Sequence, residues 1–171
     1  MKIIELDKNT IEQIAAGEVI ESPVSIVKEL VENSIDAKAE NVIVEIKNGG
    51  KSYIRVTDDG IGIEEDDFKT AFKRHATSKI KNFQDLYDLF TLGFRGEALS
   101  SILACANINA ISKTKNQNIG KKIEFRNGKI KSFNSIATNI GTSIEVLDLF
   151  SNLPVRRKFL KSDINESNKI L

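Results

Sequence analysis

Two runs of alternating side chains, Val42–Lys47 and Tyr53–Thr57, flank the triplet Asn48-Gly49-Gly50. Val42, Val44 and Ile46 fall on one face of the first run, and Ile54 and Val56 on one face of the second. Alternate side chains of a strand point to opposite faces, so a period of two broken by Gly-Gly marks a β-hairpin. Further strands are predicted at Ile108–Lys113, Lys122–Phe125, Lys129–Asn134 and Thr142–Leu147, the middle two joined by the turn Arg126-Asn127-Gly128-Lys129. Hairpins pair antiparallel strands, which argues against a doubly wound sheet of parallel βαβ units. Helical spacing is predicted over Thr10–Ala16, stopped by Gly17, and from Ser22 to about Asp36, opened by Ser22 as N-cap and Pro23 at the first helical position. Shorter helices are predicted from Glu64 to about Arg74 and around Ala98–Ala106. The expected fold is α+β, a two-layer sandwich of helices on one face of a mixed, mostly antiparallel sheet.

Composition narrows the chemistry. A single cysteine, Cys105, and a single histidine, His75, exclude a disulfide framework and argue against a Cys- or His-built metal cluster. Cys105 lies on an apolar helix, as a core residue would. With 25 Lys plus Arg against 24 Asp plus Glu, net charge points neither toward nor away from nucleic acid, so any basic site is local. The longest apolar stretch, Ile102–Ile111, is too short to span a bilayer, and Met1 is not followed by a secretory pattern. The expectation is an intracellular protein, cytoplasmic or nucleoid-associated in a bacterium and nuclear in a eukaryote. The last residues, Asn168–Leu171, read as the start of a helix, so the chain is expected to be a single domain cut from a longer protein.

Five segments carry candidate chemistry. On the helix from Ser22, a rotation of about 100° per residue puts Val24, Val27, Val31 and Ile35 on one stripe. Glu29 and Asn33 then share the opposite face, one turn apart, flanked by Ile26 and Leu30. A carboxylate and a carboxamide so placed suit a polarised water and a hard cation, although such a pair is also common on solvated helices. Asp58-Asp59-Gly60-Ile61-Gly62 follows a strand; its glycines permit close backbone approach, and Asp58 offers an acceptor to an exocyclic amine. Gly93-Phe94-Arg95-Gly96-Glu97-Ala98-Leu99 leads into a helix, where free N–H groups and the dipole favour an anion. Arg74–Lys79 offers further donors, with His75 read as structural. After the last strand, Arg156, Arg157 and Lys158 form either a solvated face or a contact for acids or phosphates.

Together these segments resemble the ATP-binding module shared by DNA gyrase, the large heat-shock chaperones, histidine kinases and MutL, with a form nearest the MutL mismatch-repair family. The strings that carry it are Gln13–Ile20, Val27–Ser34, Arg74–Lys79, Gly93–Leu99 and Pro154–Phe159. The resemblance implies ATP and Mg²⁺ as cofactors. It implies Glu29 as the general base toward the attacking water and Asn33 as the Mg²⁺ ligand. Asp58 would receive the adenine amino group, Gly62 would let the base lie against backbone, and Thr142 would join Asp58 at the base through water. Thr77, Ser78, Lys79, Gly93, Phe94, Arg95, Gly96, Glu97, Ala98 and Leu99 would belong to the lid and phosphate contacts. The segment Ile3–Ile20 would help ATP-loaded protomers form a homodimer or a dimer with a paralogue, and the mismatch-recognition protein MutS and DNA would be partners, with DNA bound largely elsewhere and no membrane involved. The family's second subdomain supplies a lysine to the γ-phosphate; without it, hydrolysis by this chain is expected to be slow. A nucleotide-sensing interaction switch with little hydrolysis, or a gyrase- or chaperone-type ATPase, is the alternative.

Overall fold

The first long helix begins where the Ser-Pro step makes it begin. In the computed structural model, which describes residues 4–5, 7, 10–11, 19–74, 76 and 97–171, α1 spans Pro23–Asp36 with Pro23 in its first turn. Ser22 is extended, and its carbonyl accepts the Ser25 N–H at 3.0 Å. Upstream, Thr10, Ile11 and Val19 are helical; Val19 lies beyond the stop expected at Gly17, which itself falls outside the described residues.

The buried face of α1 differs from the predicted stripe. Pro23, Ile26, Val27, Leu30 and Ser34 are buried, whereas Ile35 is 52% exposed. The face is rotated by roughly 90° at 100° per residue. Apolar residues cover about half of this helix, from Ile26 round to Ile35, which is wider than one buried stripe; Ser34 falls in the half that packs because its hydroxyl has partners inside. The rotation brings Glu29 and Asn33 from the far side to the half-buried rim of the packed face.

Six strands follow: β1 Val42–Lys47, β2 Tyr53–Asp58, β3 Asn107–Lys113, β4 Gly120–Arg126, β5 Lys129–Ile136 and β6 Gly141–Leu147. Their order is β1-β2-β6-β3-β4-β5, and all five pairings are antiparallel. Both predicted hairpins form, with Lys47 opposite Tyr53 and Arg126 opposite Lys129. The decisive feature is β6, the last strand, which inserts between β2 and β3 and so sets Thr142 beside both Asp58 and Ser112.

The helical layer packs on one face. Glu65–Phe68 forms α2 and Thr70–Phe72 a 3-10 turn, two short pieces in place of the one helix predicted from Glu64; the tighter turn stacks Phe68 and Phe72 with ring centroids 6.1 Å apart in the core. α3 spans Ala98–Cys105, α4 Pro154–Phe159 and α5 Asp163–Ile170. Ile26, Val27 and Leu30 of α1 and Ile102 of α3 close the core over Ile54, Val56, Ile108, Ala110, Ile123, Phe125, Ile144 and Val146. The alternate strand residues form a polar row on the other face: Glu45 pairs with Arg55, Tyr53 donates to Glu145 at 3.1 Å, and Asn109 links Glu145 to Arg126. Among the described residues, no helix is long and apolar enough to cross a membrane.

Two buried titratable groups follow from this packing. Cys105 is 1% exposed, and burial pushes its thiol up to about 12, which makes it the inert core residue expected from its helix. Glu166 of α5 is 1% exposed and accepts the Lys161 N–H at 2.9 Å and the Lys169 ammonium at 3.0 Å. Burial alone would raise its carboxyl, but those donors and the nearby Lys51 charge outweigh it and hold it below the ordinary glutamate range. A depressed folded-state value means the stabilisation is present above the unfolded value, about 4.3, and is lost as pH falls through the folded one. Glu166→Gln is therefore expected to cost roughly 1–3 kcal/mol at pH 7 and to show a smaller further loss than wild type between pH 5 and 3, in urea titrations at each pH.

Candidate functional site

Asp58 ends β2 and lies opposite Thr142, the second residue of β6. Three donors from three elements converge on its carboxylate. The Ser34 hydroxyl of α1 donates to Oδ2 at 2.9 Å, and the N–H groups of Gly60 and Thr142 donate to Oδ1 at 3.0 and 3.1 Å. A carboxylate has room for about four such donors, so one acceptor position is left over. Its neighbour Asp59 does something else. It accepts the Glu40 and Asn41 N–H groups and the Asn41 amide at 2.8–2.9 Å, and the bonds from Asn41 hold its carboxyl below the usual range. The paired acids therefore divide: Asp58 turns to the site, and Asp59 pins the loop after α1.

Two glycines let backbones close around Asp58. Gly141 has φ +122°, and a Cβ there would sit 2.0 Å from the Asp58 carbonyl oxygen. Any side chain would pry β6 from β2. Gly141→Ala is expected to destabilise the fold by roughly 3 kcal/mol or more, read as a shift of the urea midpoint; an unchanged midpoint would contradict this close approach. Gly62 has φ +75°, and a Cβ would lie 2.2 Å from the Lys113 carbonyl oxygen. The fold itself thus demands glycine at 62, before any ligand is considered.

Ser34 and Ser112 join the site although the sequence reading gave neither a role. Both sit at core-phase positions, Ser34 on the buried face of α1 and Ser112 after Ile108 and Ala110 on β3. A polar side chain in a core register needs a partner, and that is the signal that points to them. Ser112 Oγ accepts the Ile63 N–H at 2.8 Å, donates to the Gly141 carbonyl at 3.1 Å and lies 3.0 Å from Thr142 Oγ1.

The bond from Ser34 to Asp58 ties the last turns of α1 to the end of β2. It carries Asn33, one residue earlier, and Glu29, one turn before that, to the same end of the sheet. α3 packs against α1, with Glu97 at its N-cap and Ala98 and Leu99 in its first turn, where a helix offers its own N–H groups no acceptor. Glu97 Cβ and backbone lead this turn, and its carbonyl accepts the Ser101 N–H at 2.8 Å. The structure thus gathers Asp58, Gly62 and Thr142, and joins to them the helix that bears Glu29 and Asn33. Thr77, Ser78, Lys79, Gly93, Phe94, Arg95 and Gly96, together with His75, lie outside the described residues.

The basic run after β6 divides as well. Arg156 turns inward, donating to the Ile20 carbonyl at 3.1 Å over the Phe150 ring, whereas Arg157 and Lys158 are exposed. Arg156 also lines an open hollow of about 330 Å³ with Glu21, Phe159 and Leu160, and among the described residues Glu29, Asn33, Asp58, Gly62 and Thr142 do not border it. The shape of that hollow does not outweigh the convergence of polar groups at Asp58. Among the described residues, no group of three or more His, Cys, Asp or Glu side chains is placed to hold a metal.

Residues 20–153 match the family described as histidine kinase-, DNA gyrase B-, and HSP90-like ATPase. The chain is 54% identical over 165 residues to the DNA mismatch repair protein MutL of Clostridium tetani, covering 96% of this chain and 27% of that protein. It is 52% identical over 170 residues to MutL of Clostridium acetobutylicum, covering 99% and 27%. The chain thus spans about a quarter of the length of these relatives. Among solved structures, the Aquifex aeolicus MutL ATPase domain complexed with ADP superposes with a TM-score of 0.72 at 41% identity, covering 89% of this chain and 52% of that one. The N-terminal domain of a DNA repair protein gives 0.77 at 35% identity, covering 94% and 46%. The chain belongs to the histidine kinase-, DNA gyrase B-, and HSP90-like ATPase family and is similar, within it, to the MutL mismatch-repair proteins.

Proposed function

We propose that this chain binds ATP together with Mg²⁺ and forms the nucleotide site of a MutL-type ATPase acting in DNA mismatch repair. The convergence of three donors on Asp58, with one acceptor position left, is the observation that carries this reading. The exocyclic amine of adenine supplies the missing donor. Guanine would set a carbonyl against the carboxylate instead, leaving both acceptors unmatched. Thr142, bonded through its N–H to Asp58, borders the base on the other side.

At the phosphate end, the first turn of α3 offers the N–H groups of Ala98 and Leu99 and the positive end of the helix dipole. Glu29 accepts a proton from the attacking water, and Asn33 offers its carboxamide oxygen to the metal. The donor set fits that ion. With no acidic cage among the described residues, the chain suits a cation that arrives on the triphosphate and keeps mostly phosphate and water ligands, as Mg²⁺ does. When bound, Mg²⁺ supplies neutralisation of phosphate charge. Thr77–Lys79 and Gly93–Gly96 complete the lid in this reading, and Asp58 and Thr142 hold the base beneath it. Binding that favours the closed state then favours dimerisation of the longer protein, with MutS and DNA as its partners.

The test is calorimetric titration with a non-hydrolysable ATP analogue and its GTP counterpart, each with Mg²⁺. Saturable binding of the adenine nucleotide, at least about tenfold tighter than the guanine one, is expected. Equal affinity for both, or none for either, would contradict the reading.

A further inference from the structure

We propose that Ser112 is a positioning residue that sets base selectivity, because its single hydroxyl proton decides whether Thr142 presents an acceptor or a donor to the base. This inference rests on the adenine reading of Asp58 and Thr142 above.

The argument is a proton count. Ser112 is 1% exposed, and its Oγ has one proton and two lone pairs. It accepts the Ile63 N–H in every arrangement, since that group can only donate. Three arrangements remain. In the first, Ser112 donates to the Gly141 carbonyl and accepts from the Thr142 hydroxyl, so all four groups are paired. Thr142 then has spent its proton and shows only lone pairs outward. In the second, Ser112 donates to Thr142, whose proton is released toward the ligand, and the Gly141 carbonyl loses the Ser112 bond. In the third, Ser112 keeps its bond to Gly141 while Thr142 turns its proton to the ligand and the bond between the two hydroxyls is lost. The first arrangement keeps one more hydrogen bond in a buried place than either of the others and is therefore favoured.

With Thr142 in that state, its hydroxyl and the Asp58 carboxylate form one acceptor-only edge. Such an edge matches an amine and opposes a carbonyl. Holding guanine requires Thr142 to donate, which gives up one of the two bonds of Ser112, that from Thr142 or that to Gly141. Ser112 thus adds a penalty against guanine without touching the base. It also links the Gly60–Ile63 loop to the start of β6, so selectivity and loop position share one hydroxyl.

The experiment is a double-substitution cycle, Ser112→Ala and Thr142→Val singly and together, with calorimetric affinities for ATP and GTP analogues and a urea midpoint for each variant. Ser112→Ala is expected to narrow the ATP-to-GTP affinity ratio by about three- to tenfold, the range of one net hydrogen bond. In the Thr142→Val background, Ser112→Ala is expected to leave the ratio unchanged, because the hydroxyl it governs is gone. Equal loss of affinity for both nucleotides, with the ratio preserved, would show a merely structural role and overturn the proposal. A ratio change that persists in the Thr142→Val background would overturn it too. Ser112→Cys keeps a weaker hydrogen-bonding group in the core and is expected to give an intermediate ratio, so the assignment can be refuted even if the alanine variant fails to fold. If Asp58→Asn leaves both affinities as in wild type, the adenine reading itself fails, and Ser112 falls with it.

Discussion

Asp58→Asn is expected to weaken ATP-analogue binding by about 10- to 100-fold while leaving the sheet assembled. The reason lies in the donors already present. Ser34, Gly60 and Thr142 all give hydrogens to the Asp58 carboxylate, and the base would add a fourth. Asparagine has one acceptor oxygen and an amide that donates. At least one donor among these then faces another donor, and each buried mismatch costs about 1–3 kcal/mol. The mismatch that counts for binding is the one facing the base amine, and it alone gives the stated range at about 1.4 kcal/mol per decade. The far-ultraviolet circular dichroism is expected to remain that of wild type. Binding retained within a few-fold would show that Asp58 serves the fold and not the base.

The second large effect belongs to Glu29. Glu29→Gln removes the proton acceptor but keeps the shape of the side chain. General-base contributions are typically 10²- to 10⁴-fold, so phosphate release in single-turnover measurements is expected to fall by about that range. ATP-analogue affinity is expected to change by less than about threefold, since the role appears only as the water is activated. A parallel loss of affinity and rate would place Glu29 in binding instead. Together the two substitutions test the two ends of the proposed site: Asp58 is expected to govern which nucleotide enters, and Glu29 what happens to it.

How far the sequence already shows this depends on the range of the interactions involved. The hairpins were legible because Asn48-Gly49-Gly50 and Asn127-Gly128 interrupt period-two runs whose pairing is local. The insertion of β6 between β2 and β3 was not, because no local signal tells Thr142 to lie between Asp58 and Ser112. Asp58 and Gly62 were legible in the Asp-Asp-Gly-Ile-Gly turn after a strand, Thr142 was named only from the resemblance, and the sheet brings Asp58 and Thr142 together. The buried face of α1 was misplaced because apolar residues cover about half of that helix, more than one buried stripe needs. Ser34 resolves the ambiguity, but only its bond to Asp58 shows that a polar residue belongs inside. Ser112 escaped notice for the same reason: a serine in strand alternation looks like a break in the core until its three partners are seen. The glycine at 62 was read as making room for a base, whereas the Lys113 carbonyl already occupies the space a side chain would fill.

The most direct test of the account is the set of backbone amide chemical shifts of the ¹⁵N-labelled chain as the Mg²⁺ complex of a non-hydrolysable ATP analogue is added. The account predicts the largest changes at Asn33, Gly60, Gly62, Ile63, Ala98 and Thr142, with Glu21, Arg156 and Phe159 nearly still. Changes concentrated around the hollow beside Arg156, with the amides near Asp58 unmoved, would contradict it.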